Sequence, residues 1–252
     1  MSELTTAAKD VLKQEGIVHV IKKTVCYVYR QLRDTRKTCK LVKKWNKKKK
    51  SLWKSFDFVF SVTDGFLAPM QVKSEIRKFL LRIGKDKPKT IVEIGTANGG
   101  TLFLLTRVAH SQAHIYSVDL PGGAFGGGYH MWRKRLYKKF AKNKQSIHLI
   151  RANSHEEKTK QRLKNKLKGK EIDVLFIDGD HSYEGVKQDF ELYQDMVKSG
   201  GYIGFHDVAK HTPERDCHVD DFWNEVKKDY THWEFIERAD QGWGGIGLIQ
   251  KK

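Results

Sequence analysis

A chain of 252 residues suffices for one α/β domain with a buried core and a modest extension; 39% hydrophobic and 31% charged residues exclude a disordered or membrane-spanning protein. No apolar run approaches the roughly 20 residues that cross a bilayer. The net charge of +18 is uneven, because residues 1–54 hold 16 Lys/Arg against four Asp/Glu. Such a block points to an anionic contact (lipid headgroups, nucleic acid or a phosphorylated substrate) or to a solvated basic extension.

The opening residues, MSELTTAAKDVLKQEG, lack the basic-then-apolar order of a secretory signal. Cys26, Cys39 and Cys217 have neither metal-knot spacing nor an even count. A reducing, cytoplasmic setting is therefore expected, with peripheral attachment at the inner membrane face if the basic arm binds lipid. Segment 8–32 has helical periodicity, with Val11, Val18, Ile21, Val25, Val28 and Leu32 on one side and Lys and Arg over much of the rest. A helix of this kind either lies on an anionic membrane or packs on its own domain or a second subunit. Lys47–Lys50 reads as a break, and residues 1–65 as a basic helical extension of a domain spanning 66–252.

From residue 66 strand and helix signals alternate. Gln71–Ile83 reads as a helix stopped by Gly84, and Thr90–Ile94 as a strand. Helix 102–109, strand 115–118, helix 130–142, strand 147–150, helix 156–168 and strand 172–177 follow. Helix 184–198, strand 202–206 and helix 219–229 lead to two strands near 232–237 and 245–250. The alternation predicts βαβ crossovers and a doubly wound, mostly parallel α/β sheet of seven strands, Rossmann-like in plan. The last two strands have no helix between them, so an antiparallel hairpin is expected at one edge.

The sharpest local signal is Thr90-Ile-Val-Glu-Ile-Gly-Thr-Ala-Asn-Gly-Gly-Thr101, a strand, a glycine turn and a helix start. Gly95 permits the tight turn, while Gly99 and Gly100 are expected to let the backbone approach a ligand. Gly95-x-Ala97-x-x-Gly100 also fits a degraded dinucleotide fingerprint. However, Glu93 at the strand end suits a cationic ligand, such as the ammonium and sulfonium of S-adenosylmethionine (AdoMet), better than a pyrophosphate. Asp119, closing the second strand, is positioned for ribose hydroxyls, and Asn153 and Ser154 after the third for adenine or for a turn and helix cap.

The turn, Asp119 and Ile177-Asp-Gly-Asp-His-Ser-Tyr-Glu184 together resemble the AdoMet methyltransferase group that includes cephalosporin-hydroxylase-like proteins and the sugar O-methyltransferases of macrolide and rhamnosyl tailoring. Similarity covers roughly 66–250, with Ala97 where the group has glycine. The resemblance implies methyl transfer from AdoMet to a hydroxyl, with a sugar or glycan acceptor and His181, three residues after Asp178, as general base. Asp178 and Asp207 close neighbouring strands and can converge on Mg²⁺ or Mn²⁺, with His206 alongside and Asp178 also bordering the cofactor. The glycine-rich segment 120–129 reads as a lid whose Phe125 and Tyr129, with Trp132 just beyond, offer ring faces to an acceptor. The competing readings are a nucleic-acid methyltransferase using the basic arm, and a non-catalytic binding or scaffold protein. No Asn-Pro-Pro-Tyr-like motif or RNA-binding module favours the former.

Overall fold

The computed structural model describes residues 17–48, 50–122, 128–212 and 214–252. The short apolar runs form a seven-stranded sheet: β1 (Thr90–Ile94), β2 (His114–Asp119), β3 (Ser146–Arg151), β4 (Ile172–Ile177), β5 (Val197–His206), β6 (Thr231–Phe235) and β7 (Ile246–Gln250). Their order is β3-β2-β1-β4-β5-β7-β6, with β1–β5 parallel and β7 antiparallel to both β5 and β6. The expected hairpin is present, but β7 slots between β5 and β6 instead of lying outside them. The order reverses between β1 and β4, the switch point where an open α/β sheet has its crevice.

The centre of the sheet is covered on both faces, so β4 is apolar on both sides, whereas edge strand β6 is largely exposed. In β4, Val174 and Phe176 enter one core, while Leu175 and Ile177 enter the other. The first core lies under α2 (Leu52–Asp57), α3 (Lys73–Gly84), α4 (Gly100–Val108) and α5 (Lys134–Lys138). The second lies under α6 (Glu157–Leu167), α7 (Tyr183–Tyr193) and α8 (Val219–Val226).

The N-terminal helix, α1 (Ile17–Asn46), is longer than the sequence reading allowed, because buried Thr35, Thr38 and Val42 continue its inner stripe. Residues 8–16 of the expected helix lie outside the described residues. The chain breaks within Lys47–Lys50 as expected and resumes at α2, whose N-cap Ser51 accepts a hydrogen bond from Lys54 N at 3.3 Å. The 65/66 boundary is not a packing boundary. Val42, Phe56, Phe58 and Val59 are fully buried in the first core, and Phe58 stacks between Trp45 and Phe103 at centroid distances of 4.4 and 5.1 Å. Basic composition marked this segment as separate, yet its aromatic side chains belong to the domain.

Two helices end early. Helix 130–142 reduces to a 3₁₀ turn at Met131–Arg133 and the five residues of α5, after which Asn143 adopts left-handed φ of 55°. Helix 184–198 stops at Tyr193, and β5 begins already at Val197, with Gly200 inside it in the left-handed region at φ 73°.

Glu75 on α3 is fully buried and ties the C-terminal segment to the core: its carboxylate accepts from Glu237 N (2.9 Å), Gln241 Nε2 (2.7 Å) and Gly245 N (2.8 Å). Glu75→Ala should strand these donors and cost about 2–4 kcal/mol. Urea unfolding with an unchanged midpoint in that variant would show that the clamp is dispensable.

Candidate active site

The glycine turn after β1 is held from beneath before any ligand arrives. Gly95 N donates to Val118 O and Asp178 N to Ile94 O, both at 2.9 Å, so the turn is stitched to β2 and β4. Gly95 has φ of 82°, and a Cβ there would lie 1.7 Å from the Asp178 carbonyl oxygen. Gly99 and Gly100 have a role the sequence did not indicate. A Cβ on Gly99 would meet the Tyr137 ring at 2.6 Å, and one on Gly100 the Leu67 carbonyl at 2.0 Å. Both glycines make room for the protein's own chain as well as bordering the cavity described below.

Ala97 occupies the left-handed region at φ 41°, where a side chain costs roughly 1–2 kcal/mol. It is pinned on both sides: its N–H donates to Asp119 Oδ2 at 2.9 Å and its carbonyl accepts from the Tyr137 hydroxyl at 2.6 Å. Asp119 thus faces a ring of backbone N–H groups from Thr96, Ala97, Leu120 and Gly128, while burial pushes its carboxyl up to about 6.

Glu93, expected at the cofactor, is fully buried under the turn and off the cavity wall, with Oε2 accepting from Thr96 Oγ1 at 2.7 Å. Central β1 is covered on both faces, so the side chain two residues before the turn ends inside the protein. Burial raises its pKa well above the usual carboxylate range, and the nearby charges of Asp178 and Asp119 add to the effect.

A cavity of about 500 Å³ opens over the switch point, within the range of small-molecule sites. Its wall brings together Gly95, Ala97, Gly99, Gly100, Asp119, Asn153, Ser154, Asp178, His181, His206 and Asp207. Of these, Asn153 Oδ1 also accepts from His155 N at 3.0 Å, and the Ser154 carbonyl accepts from the Tyr193 hydroxyl at 2.6 Å. Asn153 therefore has its turn role alongside its place on the wall, whereas the N-cap of α6 is Glu156 rather than Ser154.

At the other end of the cavity lies a compact charge cluster. The ends of β4 and β5 are adjacent, which sets Asp178 beside His206 and Asp207. His206 Nδ1 is 3.0 Å from Asp178 Oδ1 and 3.1 Å from Asp207 Oδ2. His181 Nδ1 is 3.4 Å from Asp207 Oδ2, and its Nε2 is 3.7 Å from Asp178 Oδ1. Burial would lower both imidazoles, but the two carboxylates outweigh it: His181 is held above its ordinary pKa and His206 well above. In return, both carboxyls lie below the usual range despite burial, Asp207 far below. Asp207 also has left-handed φ of 63°, fixed by Oδ1 contacts to His211 Nε2 (3.2 Å) and Gly244 N (3.1 Å).

Several wall residues gave little or no sequence signal. Gln71 is buried, donates from Nε2 to Asp178 Oδ2 at 2.5 Å and accepts at Oε1 from Thr101 Oγ1 at 2.8 Å. It links the segment before α3 to both ends of the site, across more than 100 residues of sequence in one case. His211, Cys217 and Trp243 also line the cavity, with the Arg215 guanidinium over the Trp243 ring at 5.5 Å. The expected ring faces lie elsewhere. Tyr129 is buried against Tyr137 (4.9 Å) and Trp132 stacks on His130 (4.2 Å), while the centre of the expected lid, 123–127 with Phe125, lies outside the described residues.

Residues 92–208 match the family described as "Methyltransferase domain". They contain the turn, Asp119 and the whole charge cluster, on a sheet of order 3-2-1-4-5-7-6. Over this segment the chain is similar to a methyltransferase domain, and its sheet has the Rossmann-like methyltransferase order. Uncharacterized protein R132 of Acanthamoeba polyphaga mimivirus is 36% identical over 118 residues, which are 47% of this chain and 51% of that one. The chain thus spans about half the length of this curated relative. The O-methyltransferase from Bacillus cereus, solved in complex with SAH, aligns with a TM-score of 0.58 at 16% identity, over 81% of this chain and 92% of that one. TomG from Streptomyces achromogenes, an O-methyltransferase involved in tomaymycin synthesis and solved with SAM, gives 0.51 at 15%, over 81% and 91%. At these identities the likeness is one of fold.

Asp119 gives the cavity a testable pH signature. Burial pushes its carboxyl up to about 6, so a role in accepting ribose hydroxyls, which needs the charged form, would be lost below that pH. AdoMet affinity should fall by up to about tenfold per pH unit below 6. Asp119→Asn should bind weakly and without this pH dependence. Calorimetry showing equal affinity at pH 5 and 7 in the unaltered protein would remove Asp119 from the ribose site.

Proposed function

We propose that the protein is an AdoMet-dependent O-methyltransferase acting on a hydroxyl of a sugar or glycan. The observation that carries this reading is a single cavity running from Asp119, at the ribose end, to His181 among two carboxylates. AdoMet supplies the electrophilic methyl group. The chain's own residues do the rest. Asp119 accepts from the ribose hydroxyls, Asn153 and Ser154 border the adenine end, and the Gly95–Gly100 turn holds the backbone against the cofactor.

Methyl transfer to oxygen is an in-line displacement that needs alignment and removal of the hydroxyl proton. His181 is the base. Asp207 faces its Nδ1 at 3.4 Å and Asp178 its Nε2 at 3.7 Å, so the two carboxylates orient the ring and stabilise the proton it takes from the acceptor. Asp178, His206 and Asp207 each offer a ligand atom within 4.8 Å of the others; the two carboxylates suit Mg²⁺ or Mn²⁺, and the imidazole could join them only after losing its proton. Held there, the cation would act as a Lewis acid on the acceptor oxygen. Trp243 provides the aromatic face for a sugar that the sequence reading had sought in the 120–132 segment.

His181→Ala should lower turnover about 10²–10⁴-fold with AdoMet affinity unchanged. Labelled-methyl transfer into a glycan extract, followed by mass spectrometry, measures this and identifies the acceptor. Normal turnover in the variant would remove the base. Full activity in excess chelator would remove the cation while leaving the base standing.

A further inference from the structure

The part of the chain least explained by methyl transfer is the outer side of α1. Its inner side is committed: Thr35, Thr38 and Val42 are buried, and Asn46 donates from Nδ2 to Lys139 O at 2.8 Å. Positions three or four apart share one side of a helix. On the outer side that row runs Ile21, Val25, Tyr29, Arg33, Arg36, Lys40 and Lys43, all exposed. Its first three members are large apolar residues, 56%, 61% and 69% exposed. The cations follow without interruption; among the described residues, Asp34 lies 2.9 Å from Arg33 and Asp64 2.6 Å from off-row Lys37.

We propose that this row docks the protein on an anionic lipid surface, with Ile21, Val25 and Tyr29 entering the headgroup boundary and Arg36, Lys40 and Lys43 pairing with lipid charges. Surface binding of a helix adds buried apolar area to electrostatic attraction for anionic lipid, and this one exposed side offers both in succession. A nucleic acid would satisfy the cations but leave three large apolar side chains in water. A second copy of α1 would bring like charges together along much of the shared row.

The docked helix stands beside the cavity. The Tyr27 ring meets the His130 ring at 6.3 Å, and Gln31 Oε1 accepts from Arg133 Nη2 at 3.0 Å. Arg133 Nη1 in turn donates to Asn98 Oδ1 at 3.1 Å, on the cavity wall. A lipid-carried acceptor would therefore reach the site from the surface to which α1 is bound. That consequence rests on the proposed function; the docking does not.

Co-sedimentation of the full chain with vesicles of phosphatidylcholine, with and without phosphatidylglycerol, tests the proposal. Binding is expected only with phosphatidylglycerol and should weaken as salt rises. Each of Arg36→Gln, Lys40→Gln and Lys43→Gln should weaken it about fivefold. Val25→Ser with Tyr29→Ser should weaken it without any change of charge, and calorimetric AdoMet affinity should be unchanged in every variant. Equal binding to both vesicles would overturn the proposal. So would duplex RNA binding as tight as vesicle binding and insensitive to the serine pair, which marks a nucleic-acid surface. A dimer in sedimentation that the serine pair dissociates would assign the row to a second copy instead.

Discussion

Two carboxylates at the ends of neighbouring strands must be neutralised where little water reaches them, and much of the site follows from that constraint. Asp178 and Asp207 meet across the β4–β5 pair, and a third group has to stand between them. His206 Nδ1 does so at 3.0 and 3.1 Å. The cluster is therefore built around the positive charge of imidazoles that the two carboxylates hold above their ordinary pKa. His181 lies on the open side of this balance, in reach of both carboxylates. Gln71 and His211 take oxygens that the central charge leaves over. The cluster is therefore oriented from four parts of the chain, which is how a site keeps its geometry while the acceptor changes place.

The cofactor end is governed by close approach rather than by charge. Its turn is wedged against Asp178 beneath, Tyr137 at the side and the 67–69 segment above, each contact requiring a missing Cβ. Ala97 tolerates a left-handed backbone because Asp119 and Tyr137 hold its two peptide groups. Asp119 thus has two tasks: it stabilises the empty turn, and its remaining acceptor capacity faces the cavity.

Much of this was legible in the sequence. Thr90–Ile94 and Ile172–Ile177 announced themselves as β-branched runs ending in glycine or aspartate, and their alternation with helices fixed the sheet's plan. The residues that follow directly on a strand end (Gly95, Asp178 and Asp207) were found because topology alone brings strand ends together. What escaped has a common cause: it depends on contacts between distant segments. Gln71, Glu75 and Trp243 sit on elements whose local pattern carries no hint of what they touch. Glu93 misled because strand-end position shows where a side chain starts but not whether the turn closes over it. The basic block misled in another way, since lysine density hid Phe56, Phe58 and Val59, which complete the core.

The seat of β7 has a consequence for how the molecule comes together. β6 precedes β7 in the chain, yet its partner within the sheet is β7, and β7 in turn pairs with β5. An earlier strand must therefore wait for a later one to be inserted beside it. The segment leading into β7 supplies the Gly244 N–H that holds Asp207 and the Gly245 N–H that holds Glu75. Closing the sheet and bracing the charge cluster thus depend on the same segment of chain. A chain that has formed only β1–β5 possesses every strand of the cofactor cradle but not the brace on Asp207. Competence for chemistry arrives together with the last strand rather than accumulating along the chain.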